Sequence, residues 1–276
     1  MSNNPSKIDS NIDISELTEI IRKKKITLFA YILFFVIAGT AYAFFIPNIY
    51  KSQAIMSSVQ IDNNINRNIQ NYSSIASLAG IDLSSSNTVN QTAEALKKIE
   101  SLSFFSKHIL PNIHLPNLMA EPTWNEKDNV LSYDSDKYDL ENNKWMEKHL
   151  QDGYDMPTPQ ESYKQFKDIL LIEDDKSSGF ITISIHHQSP YIAKDWIDLI
   201  FRQINSSMRM EKKEVVEKSI EFLNTKMQET NFSETKQALS QLIQNQMQQL
   251  VMVEANENYI FKYIDPPYIP ENPYGP

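Results

Sequence analysis

Apolar positions change their spacing several times along the chain, and each spacing predicts a different element. Residues 26–46, ITLFAYILFFVIAGTAYAFFI, are 21 consecutive uncharged residues, and a helix needs about 20 to cross a bilayer. Pro47 ends that run. IYKSQAIMSSVQI then alternates, predicting a strand over 49–61. The polar, Asn-rich DNNINRNIQNYSS that follows predicts a loop. In TAEALKKIESLSFFSKHIL, Leu96, Ile99, Leu102, Phe105 and Ile109 recur at spacings of three and four, predicting an amphipathic helix that Pro111 stops. Residues 111–160 are rich in Pro, Asp and Asn and carry isolated aromatics: Trp124, Tyr133, Tyr138, Trp145 and Tyr154. That composition predicts a long irregular excursion, and so many aromatics argue against a mere linker.

Beyond the excursion, ESYKQFKDIL predicts a short helix with Tyr163, Phe166, Ile169 and Leu170 on one face. GFITISIHH predicts a strand over 180–187 with Ile181, Ile183 and Ile185 on one side. Ser189-Pro190 is a helix start, an N-cap followed by proline in the first turn. The apolar stripe then runs through Ile192, Trp196, Leu199, Ile200, Ile204, Met208, Val215, Ile220, Phe222, Leu223 and Met227. Unbroken to Glu229, this helix would be roughly 60 Å long. TNFSET breaks it, with Asn231 and Glu234 as a second capping pair. A second helix carries Leu239, Leu242, Ile243, Met247, Leu250 and Val251, and YIFKYI predicts a strand over 259–265. Widely separated strands with long helices between them indicate an α+β fold, a mixed base bearing a long projecting helical hairpin. The strands at 49–61, 180–187 and 259–265 are expected in one sheet near the membrane.

Charge orients the apolar span. Arg22, Lys23, Lys24 and Lys25 precede it, whereas the next cations beyond it are Lys51 and Arg67. The positive-inside rule puts the N-terminus in the cytoplasm and residue 47 onward outside. The run is too long, and its lead too extended, for a cleaved signal peptide. This divides the chain into a cytoplasmic lead (1–25, with Ile14, Leu17, Ile20 and Ile21 on one helical stripe), a transmembrane helix (26–46), an exported domain (47–265) and a proline-rich tail (266–276). Of 26 Lys and Arg and 35 Asp and Glu, residues 1–46 hold five and four, leaving 21 basic and 31 acidic residues outside. An acidic exported part repels anionic headgroups and stands off the membrane. The overall charge of −9 also argues against a nucleic-acid partner.

The tail raises a mechanical question. Pro266, Pro267, Pro270 and Pro273 cannot occupy a helix interior or a central strand. Such a run is extended and stiff, a spacer that holds two things apart.

Candidate chemistry is sparse. Adjacent side chains on a strand point to opposite faces, so His186 and His187 cannot share a metal ion, and His108, His114 and His149 lack ligand spacing. Glu173, Asp174 and Asp175 precede the turn composition Lys176-Ser177-Ser178-Gly179, which predicts a solvated hairpin-like loop rather than a pair of glycosidase carboxylates. There is no cysteine, no nucleophile elbow and no phosphate-binding glycine loop, so no cofactor is expected. Sequons occur at Asn71, Asn90, Asn205 and Asn231, as an Asn- and Ser-rich chain produces by chance. The Gln- and Met-rich helix bearing Leu239, Leu242, Ile243, Met247 and Leu250 has two readings, packing on the helix before it or forming a subunit interface.

The span preceded by IRKKK and followed by IPNIYKSQAI resembles the start of the bacterial chain-length determinant family, the Wzz-type polysaccharide co-polymerases. So do KDNVLSYDSDKYDLENNKW, GFITISIHHQSPYIAKDWIDLIFRQIN and EANENYIFKYIDPPYIPENP, in order and spacing. The resemblance implies two membrane helices flanking a periplasmic domain, assembly into a homo-oligomeric ring, and no enzymatic activity. It implies a role in setting the length of a surface polysaccharide, commonly lipopolysaccharide O-antigen, with the separate polymerase at the inner membrane. It also implies that the proline run leads into a second span, which this chain does not contain. Two alternatives from other classes are a membrane-anchored sensor and a transport adaptor. The short cytoplasmic lead lacks an output domain, and five scattered glycines do not supply an adaptor's Gly-rich β motifs.

Overall fold

The computed structural model describes residues 24–45, 47–59 and 88–275. The stripe at Ile14–Ile21 and the polar loop after residue 61 lie outside these. The chain divides into two compact units, residues 1–47 with Pro276, and residues 48–275.

In the first unit, helix α1 (Lys25–Phe45) is 21 residues long with its one charge at Lys25. Its described apolar side chains are exposed around the whole circumference, Ile26 at 80% and Phe35 at 70% among them. A helix apolar on every side has no single face to bury against a core. Counting the described residues alone, no helix is long and apolar enough to cross a membrane. The side chains of residue 28 and residues 41–46 fall outside that description.

The second unit is built on a four-stranded antiparallel sheet. Strand β1 (Tyr50–Ser58) buries Tyr50, Ser52, Ala54 and Met56 on one face. It ends at Ser58, and Gln60 and Ile61, at the end of the predicted strand, lie outside the described residues. Helix α2 (Thr88–Ile99) follows. The stripe Leu96–Ile109 is not one helix: Ser101 caps a new start by accepting from the Phe104 N–H at 3.1 Å. Phe105–Ile109 then winds as a π-turn, which lets both Phe104 and Phe105 face the core.

The excursion contains a short helix α3 (Pro116–Met119) and two small hairpins, β2 (Thr123–Asn125) with β3 (Val130–Ser132), and β4 (Tyr138–Asp139) with β5 (Lys144–Trp145). Helix α4 (Pro159–Ile169) starts at a capping box, in which Thr158 and Glu161 satisfy each other's backbone N–H groups. It runs directly into β6 (Leu170–Asp175), a strand that the sequence pattern does not disclose because LLIEDD is apolar only in its first half.

Strand β7 (Phe180–His187) has the predicted bounds, and Ile181, Ile183 and Ile185 are all buried. They face Met56, Ala54 and Ser52 across the ladder. Helix α5 (Pro190–Glu229) is 40 residues long, with Ser189 as N-cap and Pro190 in its first turn. Its first half covers the sheet, burying Trp196, Ile197, Ile200 and Ile204. Helix α6 (Ser233–Ala255) returns along its second half, joined by Lys213–Glu254 at 2.6 Å. The predicted capping pair fails. The N-cap is Phe232, with no side-chain hydrogen bond, so neither Asn231 nor Glu234 caps α6. Strand β8 (Phe261–Asp265) closes the sheet against β1, giving the strand order β6-β7-β1-β8.

Candidate interaction surfaces

The hairpin surface is set by how α5 and α6 divide their apolar residues. Leu239 and Leu242 are buried against α5. Ile243 and Leu250 are half-buried, and Met247 is 49% exposed. The five candidate residues therefore split, the first two holding the hairpin closed and Met247 facing outward. Val251, one turn beyond Met247, is also exposed. On α5 the buried stripe runs through Val216 and Leu223. The predicted Val215 and Phe222, one residue earlier in each case, are exposed at 58% and 39%.

At the root of the hairpin lies a residue that periodicity does not single out. Asn205 is buried in the middle of α5. Its Oδ1 accepts from the backbone N–H groups of Ile260 and Phe261, at 2.8 and 3.0 Å, and its Nδ2 donates to the Phe201 carbonyl at 3.1 Å. One side chain thus fixes where the returning chain re-enters the sheet. The available signal is a polar residue in helical register with the apolar Phe201 and Met208, four before it and three after it. Its burial also makes the Asn205 sequon structural. Beside it, Tyr263 stacks on Phe201 with centroids 3.8 Å apart. The Tyr263 hydroxyl donates to Asp198 at 3.0 Å. Burial, then the Asp198 charge, raises that hydroxyl's pKa.

The proline run is not a free spacer. Pro267 and Pro270 are buried, whereas Pro266 and Pro273 are exposed. Ser52 Oγ donates to the Tyr268 carbonyl at 2.7 Å. The Tyr274 N–H donates to the Ile49 carbonyl at 2.7 Å, and the Ile49 N–H to the Gly275 carbonyl at 3.0 Å. The strap thus lies along the edge of β1 beyond β8, and Gly275 pairs with Ile49. Prolines suit that position because an edge strand can spare N–H donors. Tyr274 packs its ring on His186, at 5.1 Å, and beneath the Lys51 ammonium, at 5.3 Å.

The histidine and carboxylate candidates are where strand geometry puts them. His187 is buried, with Nε2 donating to the Asn117 carbonyl and Nδ1 accepting from the Ser189 N–H, each at 2.9 Å. Both nitrogens are committed, and burial depresses its pKa. His186 points to the other face, its pKa lowered by burial and by Lys51. Glu173, Asp174 and Asp175 lie on exposed β6 rather than in a loop. The hydroxyls of Ser177 and Ser178 hold the Asp175 carboxyl well below its usual range. That arrangement builds the β6–β7 turn. Among the described residues, no three His, Cys, Asp or Glu side chains converge as metal ligands.

The excursion holds a cleft of about 870 Å³ that the sequence pattern does not disclose. Tyr138 is its buried wall, in ring contact with Trp145, Tyr133 and His114 at 5.0, 5.7 and 6.3 Å.

The family model described as Wzz, chain length determinant protein, matches residues 10–107. No curated protein matches the chain in sequence. Among solved structures, the chain is similar to a full-length bacterial polysaccharide co-polymerase, with 11% identity, 96% of this chain and 89% of that chain covered, and a TM-score of 0.45. A fragment of WzzB, the polysaccharide co-polymerase from Salmonella Typhimurium, has 12% identity, coverage of 83% and 100%, and a TM-score of 0.35. A mutant of the Shigella flexneri lipopolysaccharide O-antigen chain-length regulator has 12% identity, coverage of 82% and 99%, and a TM-score of 0.28.

Proposed function

We propose that this chain, whose residues 10–107 carry the chain length determinant domain, is a non-catalytic regulator of the length of a bacterial surface polysaccharide. The polysaccharide is lipopolysaccharide O-antigen, and the protein works beside the separate polymerase in the inner membrane. The family match is the observation that carries this reading. In it, α1 is the anchor, with residues 1–25 cytoplasmic and residues 47–265 periplasmic. Its support is a helix of 21 residues with one terminal charge, preceded by Arg22, Lys23 and Lys24. Residues 266–276 form a lead back toward the membrane, supported by the pairing of Gly275 with Ile49 at the start of the unit.

Copies associate side by side into a ring through the outer face of the hairpin, where Val215, Met247 and Val251 leave apolar surface uncovered. A protein that tunes length without making or breaking a glycosidic bond acts through shape and contact. The test is the gel ladder of surface polysaccharide from cells lacking the gene. The modal band should disappear, return with the wild-type chain, and shift or broaden with a Met247→Ser, Val251→Ser variant at matched abundance. A ladder unchanged by deletion would overturn the proposal.

A further inference from the structure

The excursion cleft has walls that are fixed before any ligand arrives. The Tyr138 hydroxyl donates to Asn143 Oδ1, locking the ring against the β4–β5 turn. Trp145 packs on it and is a half-buried part of the lining. Tyr154, which also lines the cleft, is 53% exposed after a turn that Gly153 makes at φ 87°. Holding aromatic faces in solvent gains nothing for folding, yet such faces are what the C–H face of a pyranose stacks upon.

The charges narrow the ligand class. Lys144 is the one Lys or Arg among the lining residues, against Glu147, Asp152 and Asp155. It also leans toward Glu147, at 3.7 Å. A phosphate or sulfate would be repelled. Carboxylates accept hydrogen bonds from hydroxyls, and the volume falls within the roughly 300–1,000 Å³ of small-ligand clefts. We propose that this cleft binds a neutral segment of a polysaccharide, stacked on Trp145 and Tyr154 and hydrogen-bonded to Asp152 and Asp155. The inference rests on the proposed function and deepens it by naming where the glycan is touched.

The test uses the full chain in mild detergent with Trp124→Phe, so that Trp145 dominates the solvent-sensitive fluorescence while Trp196 stays buried. The probe is polysaccharide freed from lipid by mild acid, taken from cells that make the protein, with heparin as an anionic comparison. The expected result is a saturable change with the freed polysaccharide, weakened at least tenfold by Tyr154→Ala or Asp152→Asn, and none with heparin. Saturation-transfer NMR from aromatic to sugar protons should show the same loss in Tyr154→Ala. No saturable change, one undiminished in both variants, or an equal response to heparin would overturn the site. If binding fails while the deletion still abolishes the modal band, this inference falls and the proposed function stands. If binding persists while the ladder ignores the deletion, the site stands and the proposed function falls.

Discussion

The two halves of α5 live in different surroundings. Residues 190–208 lie across the sheet, and Ala193, Ile197, Ile200 and Ile204 are each no more than 1% exposed. Residues 209–229 have α6 as their neighbour, and there α5 buries only Val216 and Leu223. The sheet is not the first half's only neighbour, since Trp196 also meets Phe166 of α4 with ring centroids 6.5 Å apart, so most of its circumference is covered, whereas a helix with one partner can bury only a stripe. The base is therefore self-sufficient, while the distal hairpin depends on few apolar contacts and opens at lower cost. That same economy leaves Met247, Val251 and Val215 uncovered for association.

The most disruptive way to probe the boundary is at Asn205. Asn205→Ala strands the N–H groups of Ile260 and Phe261 in a buried site, and each unsatisfied donor costs roughly 1–3 kcal/mol. Denaturant unfolding of the full chain in detergent should show a loss of several kcal/mol, with β8 and α6 detaching first. A loss below about 1 kcal/mol would mean that the sheet, not this side chain, holds the hairpin root.

Within the distal hairpin, Leu242→Ala removes a side chain that is 1% exposed, at about 2–4 kcal/mol for a large-to-small core change. That loss should stay local to the hairpin. Amide exchange should quicken across 215–250 while β1 and β7 keep their protection. Uniform quickening across the sheet would show that base and hairpin unfold as one unit and would break the contrast.

The base is far more legible in the sequence than its connections. β7 and α5 match the predicted spans because Ile181, Ile183 and Ile185 alternate cleanly and Ser189-Pro190 is an unambiguous start. β6 escapes the pattern because its charged half obeys the edge of the sheet, where Glu173 and Asp174 meet solvent, and not an apolar period. The strap differs from a free spacer for a related reason. Prolines announce what cannot happen, a helix or central strand, but Ser52 and Ile49, more than 200 residues away in sequence, decide where the strap goes. On α6 the candidate residues do not share one environment. Periodicity identifies an apolar stripe but not which side of it a partner covers, and the structure assigns Leu239 and Leu242 to α5 while leaving Met247 outside.

A smaller effect belongs to the base and its pH response. His187 is buried with its pKa depressed below 6.5, so the unfolded chain takes up the proton more readily. Its contribution is fully present above about pH 6.5 and is lost as pH falls through the folded value. His186 shifts in the same direction. Unfolding midpoints should therefore fall between pH 7.5 and 5, and His187→Gln should flatten that slope. An equally steep slope in the variant would place the acid sensitivity in other groups.

The smallest expected effect is at the exposed edge of the sheet, where Glu173, Asp174 and Asp175 face solvent. Glu173, Asp174 and Asp175 alternate along β6 with their side chains in solvent, and Asp175 spends its acceptors on Ser177 and Ser178 at 2.6 Å. Changing all three to their amides weakens one surface turn and removes repulsive charge at an edge. It touches neither the hairpin nor the excursion cleft. Polysaccharide should still be made with its modal length retained, whereas the Met247, Val251 variant shifts or broadens the distribution. An enzyme working through these carboxylates would reverse that ranking, losing polymer with the amides and keeping its product length with the hairpin change. Ladders from the two variants at equal protein abundance decide the matter. A vanished modal band in the amide variant would move the functional surface from the hairpin to the sheet edge.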